Sequence, residues 1–198
     1  MDMNEIKLGA IDMADRVYDI LNLIEEGFIK NKMEFLTVAM DEEAQLNKME
    51  RLFTEKIMEL SKTAADKKDL SSLAQMIEML ERMGDEATGL IERIEVKVSE
   101  KLMFSEEAVK EFNETYAAMK ESAHMMREFL SINSPAIREQ VINNGFHVKE
   151  LVERYRKEHA DRLVTSGCTP MAANMYFDML DFTGNIARHS SNIVKLWK

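Results

Sequence analysis

The chain has 198 residues, 45% of them apolar, which is enough to bury a core in one large domain or two small ones. A formal net charge of -10 and a pI near 5.0 exclude nucleic acid and anionic lipid as main partners, since both would be repelled, and favour cations or a basic protein surface. Seven Gly and two Pro leave few helix breakers and only 7% of residues are aromatic, so the expected fold class is all-α.

The first helix is expected over residues 5–31. Its stripe, Ile6, Ala10, Met13, Val17, Ile20, Ile24 and Gly27, alternates steps of four and three and so gathers on one face. A break near Asn31 separates it from a second helix over 34–62, because a single helix running on to Leu60 would be too long for a globular protein. The second stripe is Leu36, Ala39, Glu43, Leu46, Glu50, Phe53, Ile57 and Leu60, with two glutamates inside it. A carboxylate buried alone is costly, so each must be paired, metal-bound or close to water. A third helix over 69–99 takes Asp69 as its N-cap. Its stripe passes through Leu80, Gly84, Ala87 and Ile91, with Glu81 and Asp85 flanking it. The small residues there let a neighbouring helix come close where the carboxylates stand.

A connector over 100–104 leads to Ser105, the N-cap of a fourth helix to about 130 with Val109, Phe112, Tyr116, Met119, Ala123, Met126 and Leu130 inward. Ser134-Pro135 opens a fifth helix to about 165, using Ile137, Val141, Asn144, Val148, Leu151 and Tyr155. After a turn at Ser166-Gly167-Cys168, Thr169-Pro170 opens a sixth, running nearly to 198 with Ala173, Phe177, Leu180, Gly184, Ala187, Ser191 and Val194 inward. Six long helices thus predict two tandem up-down three-helix bundles, 1–100 and 101–198, packed into one body. The segment Leu80-Glu81-Arg82-Met83-Gly84-Asp85-Glu86-Ala87 returns 100 residues later in relaxed form as Leu180-Asp181-Phe182-Thr183-Gly184-Asn185-Ile186-Ala187, which suggests a duplicated unit. In both copies an acidic residue and a second oxygen-bearing residue stand four apart on one helix face.

On these residues the chain resembles the PhoU family over essentially its full length. That family has two three-helix bundles with Glu/Asp-x-x-x-Asp motifs on the second and third helix of each, and the motifs fall on Glu43 with Asn47, Glu81 with Asp85, Gly145 with Lys149, and Asp181 with Asn185. Residues 155–163, the turn at Gly167-Cys168 and residues 176–193 look more specifically like the PhoU-type domain attached to bacterial sodium/phosphate cotransporters. The resemblance implies a non-enzymatic cytoplasmic regulator of phosphate uptake and signalling. Such a protein binds a membrane phosphate transporter or its signalling partner, stands in the cytoplasm or peripherally at the inner face of the membrane, and holds iron, zinc or another divalent ion at those motifs. It also raises a homodimer, for which no sequence signal speaks. In the first bundle Glu43, Asn47, Glu81 and Asp85 keep hard oxygen ligands. In the second, Gly145 offers none, Lys149 brings a positive charge to where the cation would sit and Asn185 replaces a carboxylate. Loss of the metal is expected there, with Lys149 pairing with Asp181 in its place.

The lone Cys168 cannot form an internal disulfide, and the acidic start Met1-Asp2-Met3-Asn4-Glu5 has no signal-peptide character, so a reducing cytoplasm is expected. No apolar run approaches the roughly 20 residues needed to cross a bilayer, so no direct membrane insertion is expected. Glu121-x-x-His124 has the spacing of di-iron bundles but occurs once. His189, four beyond Asn185, is either an added ligand or a capping or partner-facing residue, and His159 with Arg162 is either an anion site or a mixed-charge helix end. Met171 and Met175 are expected to be exposed, and Trp197 to anchor the last helix or a partner. No Gly-rich phosphate loop, Ser/His/Asp order or Cys-x-x-Cys pair supports an enzyme. A metal-free helical adaptor and the soluble C-terminal domain of a cotransporter remain as other readings.

Overall fold

Local signals start and stop the helices. Asp2 accepts a hydrogen bond from the Glu5 backbone N–H at 2.9 Å while Glu5 accepts one from the Asp2 N–H at 2.6 Å, a reciprocal cap that opens α1 (Met3–Lys30). Asn31 closes α1 in the left-handed conformation at φ 51°, which Asn tolerates better than most residues, and turns the chain straight into α2 (Met33–Ser61). The remaining elements are α3 (Lys68–Ser99), α4 (Glu106–Ile132), α5 (Pro135–Thr165) and α6 (Pro170–Leu196). This computed structural model describes residues 2–62, 67–165 and 170–197. The expected turn at Ser166-Gly167-Cys168 and the cap at Thr169 lie outside them. Ser105 caps α4 as expected, accepting from the Ala108 N–H at 3.2 Å, and Asn133 closes α4 at φ 54° as Asn31 closes α1. Asp69 is not the N-cap of α3. The helix begins one residue earlier, so Asp69 sits in its first turn, where a negative charge still favours the exposed N–H groups.

The packing follows from how much apolar surface each helix carries. α1, α3, α6 and α4 pack in sequence around a closed ring, α2 lies against α1 and α3, and α5 lies against α4 and α6. The trios α1–α3 and α4–α6 are therefore two three-helix bundles joined along α1 with α4 and α3 with α6. The α1 stripe is buried from Ile6 to Ile24, and the same holds for Leu70 to Ile94 on α3 and Leu180 to Val194 on α6. Each large aliphatic side chain so covered contributes roughly 2 kcal/mol. Met13, Met76, Met119 and Met126 are core residues. Met171 is exposed as expected, but Met175 is only 5% exposed, because α6 is covered by α3, α4 and α5 together and residues one step off the main stripe are buried too.

The seam between the bundles combines aromatic packing with polar ties. Phe28 and Phe112 meet at 4.8 Å between ring centres, and the buried Tyr116 hydroxyl donates to the Leu21 carbonyl at 2.7 Å. Burial, with Glu25 adding to it, holds that phenol far above its ordinary pKa, so it remains a donor. Lys120 pairs with Glu25, and Arg127 with Asp15 at 3.4 Å. Trp197 anchors the end of α6: its carbonyl accepts from Arg138 at 3.1 Å and its ring lies under Lys7. Tyr116→Phe is expected to lower the urea midpoint by the equivalent of about 1 kcal/mol without changing the m-value, since it removes one buried donor and no packing volume. An unchanged midpoint would show that the hydroxyl contributes nothing to the seam.

Candidate functional site

On the first bundle, Gly84 lets α2 approach α3 closely: a Cβ at that position would lie 2.6 Å from Leu46 Cδ2. The approach sets Glu43 and Asn47 of α2 beside Glu81 and Asp85 of α3. Glu43 is the stripe glutamate that is truly buried, at 8% exposure, and it accepts from the Asn47 amide at 2.8 Å. The Asn47 carbonyl oxygen is buried and has no hydrogen-bond partner among the described residues. Glu50 is half-buried and accepts from Thr54 at 2.9 Å. Burial first, then the charges of Asp85, Glu50 and Glu43, push the Glu81 carboxyl above its ordinary range. Arg82 offsets this weakly, being paired with Glu78 at 2.7 Å. An excess of carboxylate beside an orphaned carbonyl oxygen fits a hard divalent cation. Among the described residues no three His, Cys, Asp or Glu side chains converge as a preformed metal site, so a cation there would have to draw its ligands inward.

On the second bundle α5 and α6 are in still closer contact. A Cβ on Gly145 would lie 2.1 Å from Ser191 Oγ, and one on Gly184 would lie 3.3 Å from Val152. This antiparallel register decides who meets Asp181. Arg156 does, as an ion pair, while Lys149 stands two turns away and pairs with Glu153 of its own helix at 3.7 Å. The expected Lys149–Asp181 pair is therefore replaced by Arg156–Asp181. Asn185 donates to Glu86 of α3 at 3.2 Å, and its carbonyl accepts from Arg188 at 3.3 Å. Burial raises the Glu86 carboxyl and the Asn185 amide opposes the rise. With Asp181 and Asn185 both engaged, and Gly145 and Lys149 at the other motif positions, these residues do not fit a metal.

Above this contact, the two helices border an open groove of about 480 Å³. Its α5 side is the stripe Ile142, Phe146, Lys149, Glu153 and Arg156; its α6 side is Asp181, Asn185, Arg188, Asn192 and Lys195. Both stripes step by four and three. Phe146 is 62% exposed.

Three of the four histidines, His124, His159 and His189, pack as parts of the structure. His159 is buried against Tyr176 and Phe177, ring centres 4.3 and 5.2 Å away, and burial holds its pKa down. Arg162 is not available for an anion, since it binds Glu111 through two bonds of 2.7 and 2.6 Å, and Tyr176 donates to the same carboxylate at 2.8 Å. That Glu111 clamp ties α4, α5 and α6 together and has no counterpart in the sequence expectations. His124 packs on Tyr18, 5.5 Å between centres, with Glu121 exposed. His189 is 4% exposed, its Nδ1 has no partner among the described residues, and burial followed by the nearby Arg188 and Arg82 charges lowers its pKa to about 4.

Arg156→Ala and Asp181→Asn should couple by up to about 1 kcal/mol in a double-mutant cycle, as suits a half-exposed pair, whereas Lys149→Ala and Asp181→Asn should be additive. Coupling through Lys149 instead would contradict the register. For His189, the folded pKa near 4 lies below the ordinary 6.5, so between these values the unfolded state binds the extra proton. Its contribution is constant above pH 6.5 and stability falls as pH drops toward 4, by on the order of 3 kcal/mol. His189→Gln should flatten that part of a pH series of urea unfolding curves; an unchanged slope would assign it elsewhere.

Residues 10–94 match the family model of the PhoU domain. Over its length the structure is similar to PhoU from Pseudomonas aeruginosa, with a TM-score of 0.90 at 16% identity, covering 98% of this chain and 94% of that one. For the phosphate transport system regulatory protein PhoU from Streptococcus pneumoniae the TM-score is 0.84 at 11% identity, covering 98% and 92%. For a PhoU-like phosphate regulatory protein from Shewanella oneidensis MR-1 it is 0.65 at 12%, covering 96% and 93%. No protein of curated function matches the sequence significantly. Residues 10–94 are thus similar to a PhoU domain, and the chain as a whole has the fold of the PhoU structures.

Proposed function

We propose that the chain is a non-enzymatic regulator of phosphate uptake that works from the cytoplasmic side by binding a membrane phosphate transporter or the signalling protein attached to it. The observation that carries this reading is the whole-length match to PhoU from Pseudomonas aeruginosa, strengthened by a second neighbour described as a phosphate transport system regulatory protein. Among the described residues no helix is long and apolar enough to cross a membrane, which suits a protein that docks on a transporter rather than forming one. The fold itself does not specify chemistry, so the role rests on surfaces.

The first-bundle face is the candidate cation site. Glu81 and Asp85 of α3 with Glu43 of α2 would hold an iron, zinc or other divalent ion, and the unpartnered Asn47 carbonyl oxygen would join them. Such an ion would supply charge neutralisation between α2 and α3. The chain's own carboxylates do the rest: they concentrate negative charge on one face, where Asp85, Glu50 and Glu43 surround Glu81.

Deleting the gene should leave phosphate uptake insensitive to a rise in external phosphate, measured with radiolabelled phosphate; a normal response would refute the regulator. For the cation, protein purified without chelator and without an immobilised-metal column should retain stoichiometric iron, zinc or manganese by elemental analysis. Glu81→Ala/Asp85→Ala should lose it, along with the rise in melting temperature on adding the same ion. Metal-free protein that added ions leave unshifted would reduce the face to a structural remnant and favour the metal-free adaptor.

A further inference from the structure

The groove between α5 and α6 runs against the charge of the chain as a whole. The chain carries a net charge of -10, yet the groove is lined by four cations, Lys149, Arg156, Arg188 and Lys195, against two carboxylates, Glu153 and Asp181. The two carboxylates each take one of the α5 cations, which leaves Arg188 and Lys195 of α6 with no ion pair among the described residues. Between these charges the lining is apolar, with Ile142, Val152 and the exposed ring of Phe146.

Its length decides what fits. From residue 142 to residue 156 the α5 stripe climbs about 21 Å, and the α6 stripe from 181 to 195 is equally long. A free phosphate would cover about one turn of this and leave the apolar part bare. Two antiparallel stripes at four-and-three spacing instead form the seat that a third helix fills in a helical bundle, with its apolar residues on Phe146 and Val152 and its flanks on the charges. Charge complementarity makes that third helix acidic.

We infer that the α5–α6 groove is the docking seat for an acidic amphipathic helix, about four turns long, of the protein that this chain regulates. The inference rests on the regulator reading and deepens it by naming the surface. Gly145, which removes a metal ligand from this face, together with Gly184 draws α5 and α6 close enough to present both stripes to one helix.

The test is photo-cross-linking in the native host, using the full chain with a benzophenone amino acid in place of Phe146, of Arg188, or of Arg82 on the first-bundle face, and mass spectrometry to read the attached segment. Adducts from positions 146 and 188 to one acidic amphipathic segment of another protein are expected. Arg188→Glu/Lys195→Glu should cut the yield from position 146 by about tenfold, as like charges facing one another would do. Arg188→Gln/Lys195→Gln, which removes attraction without adding repulsion, should cut it less. Both changes are at the surface, and matching melting curves verify that the fold is kept. Adducts from position 82 alone would overturn the groove while leaving the regulator in place. Adducts from 146 to a basic segment, to a membrane lipid or to a second copy of this chain would overturn the acidic helix, as would a yield indifferent to the charge reversal. Adducts from no position would overturn both readings.

Discussion

Each of α1, α3, α4 and α6 must bury apolar surface on two sides at once, and the rest of the molecule depends on that demand. On α6 one stripe runs through Leu180, Ala187 and Val194 and a second through Tyr176, Met179, Thr183, Ile186 and Ser190; all are buried. On α3 the second stripe is Met76, Met83, Leu90 and Lys97. Only a closed ring of helices covers both sides. The small polar members of the second stripes satisfy themselves: Thr115, Thr183 and Ser190 donate to carbonyls one turn back, at 2.9, 2.7 and 3.1 Å, so their burial costs little. The outer helices α2 and α5 carry a single stripe each and are covered on one side only.

That arrangement creates two equivalent places, one in each bundle, where an outer helix lies on an inner one beside a glycine. The backbone treats them alike and the side chains do not. Between α2 and α3 the side chains are carboxylates with an amide oxygen left over; between α5 and α6 they are guanidinium and ammonium groups around an apolar strip. Two similar helix contacts thus carry opposite net charge, and an ion that suits one face is disfavoured by the other.

Helix number, extent and the main stripes were legible in the sequence because a 3.6-residue period is a local property. The break at Asn31 could be placed from length alone, and the left-handed cap is the reason it falls there. What was not legible is register between helices. Lys149 looked like the partner of Asp181 because the motif positions pair them, but the contacts of Gly145 with Ser191 and of Val152 with Gly184 shift the opposing position to Arg156. Seven residues are about 10 Å on a helix, beyond a side chain's reach from its proper partner. Glu111 had a signal that passed unread. Ala108, Glu111, Thr115 and Ser122 form the second buried stripe of α4, and a carboxylate on such a stripe needs a cation, which Arg162 supplies. Met175 was misjudged for the same reason, as a second stripe read as surface. The sequence already set Glu43 and Asn47 on α2 and Glu81 and Asp85 on α3, but the buried, unsatisfied carbonyl oxygen of Asn47 emerges only from packing.

The distribution of the methionines has a bearing on oxidative wear. A thioether converted to a sulfoxide becomes polar, and in the ring formed by Met13, Met76, Met83, Met119, Met126 and Met179 it would need hydrogen bonds that the core does not offer. Oxidants meet Met103, Met58 and Met171 first, at 87%, 62% and 50% exposure, on helix ends and connectors where a polar oxygen disturbs nothing. Sulfoxide formation thus falls first on side chains whose change of polarity the fold tolerates.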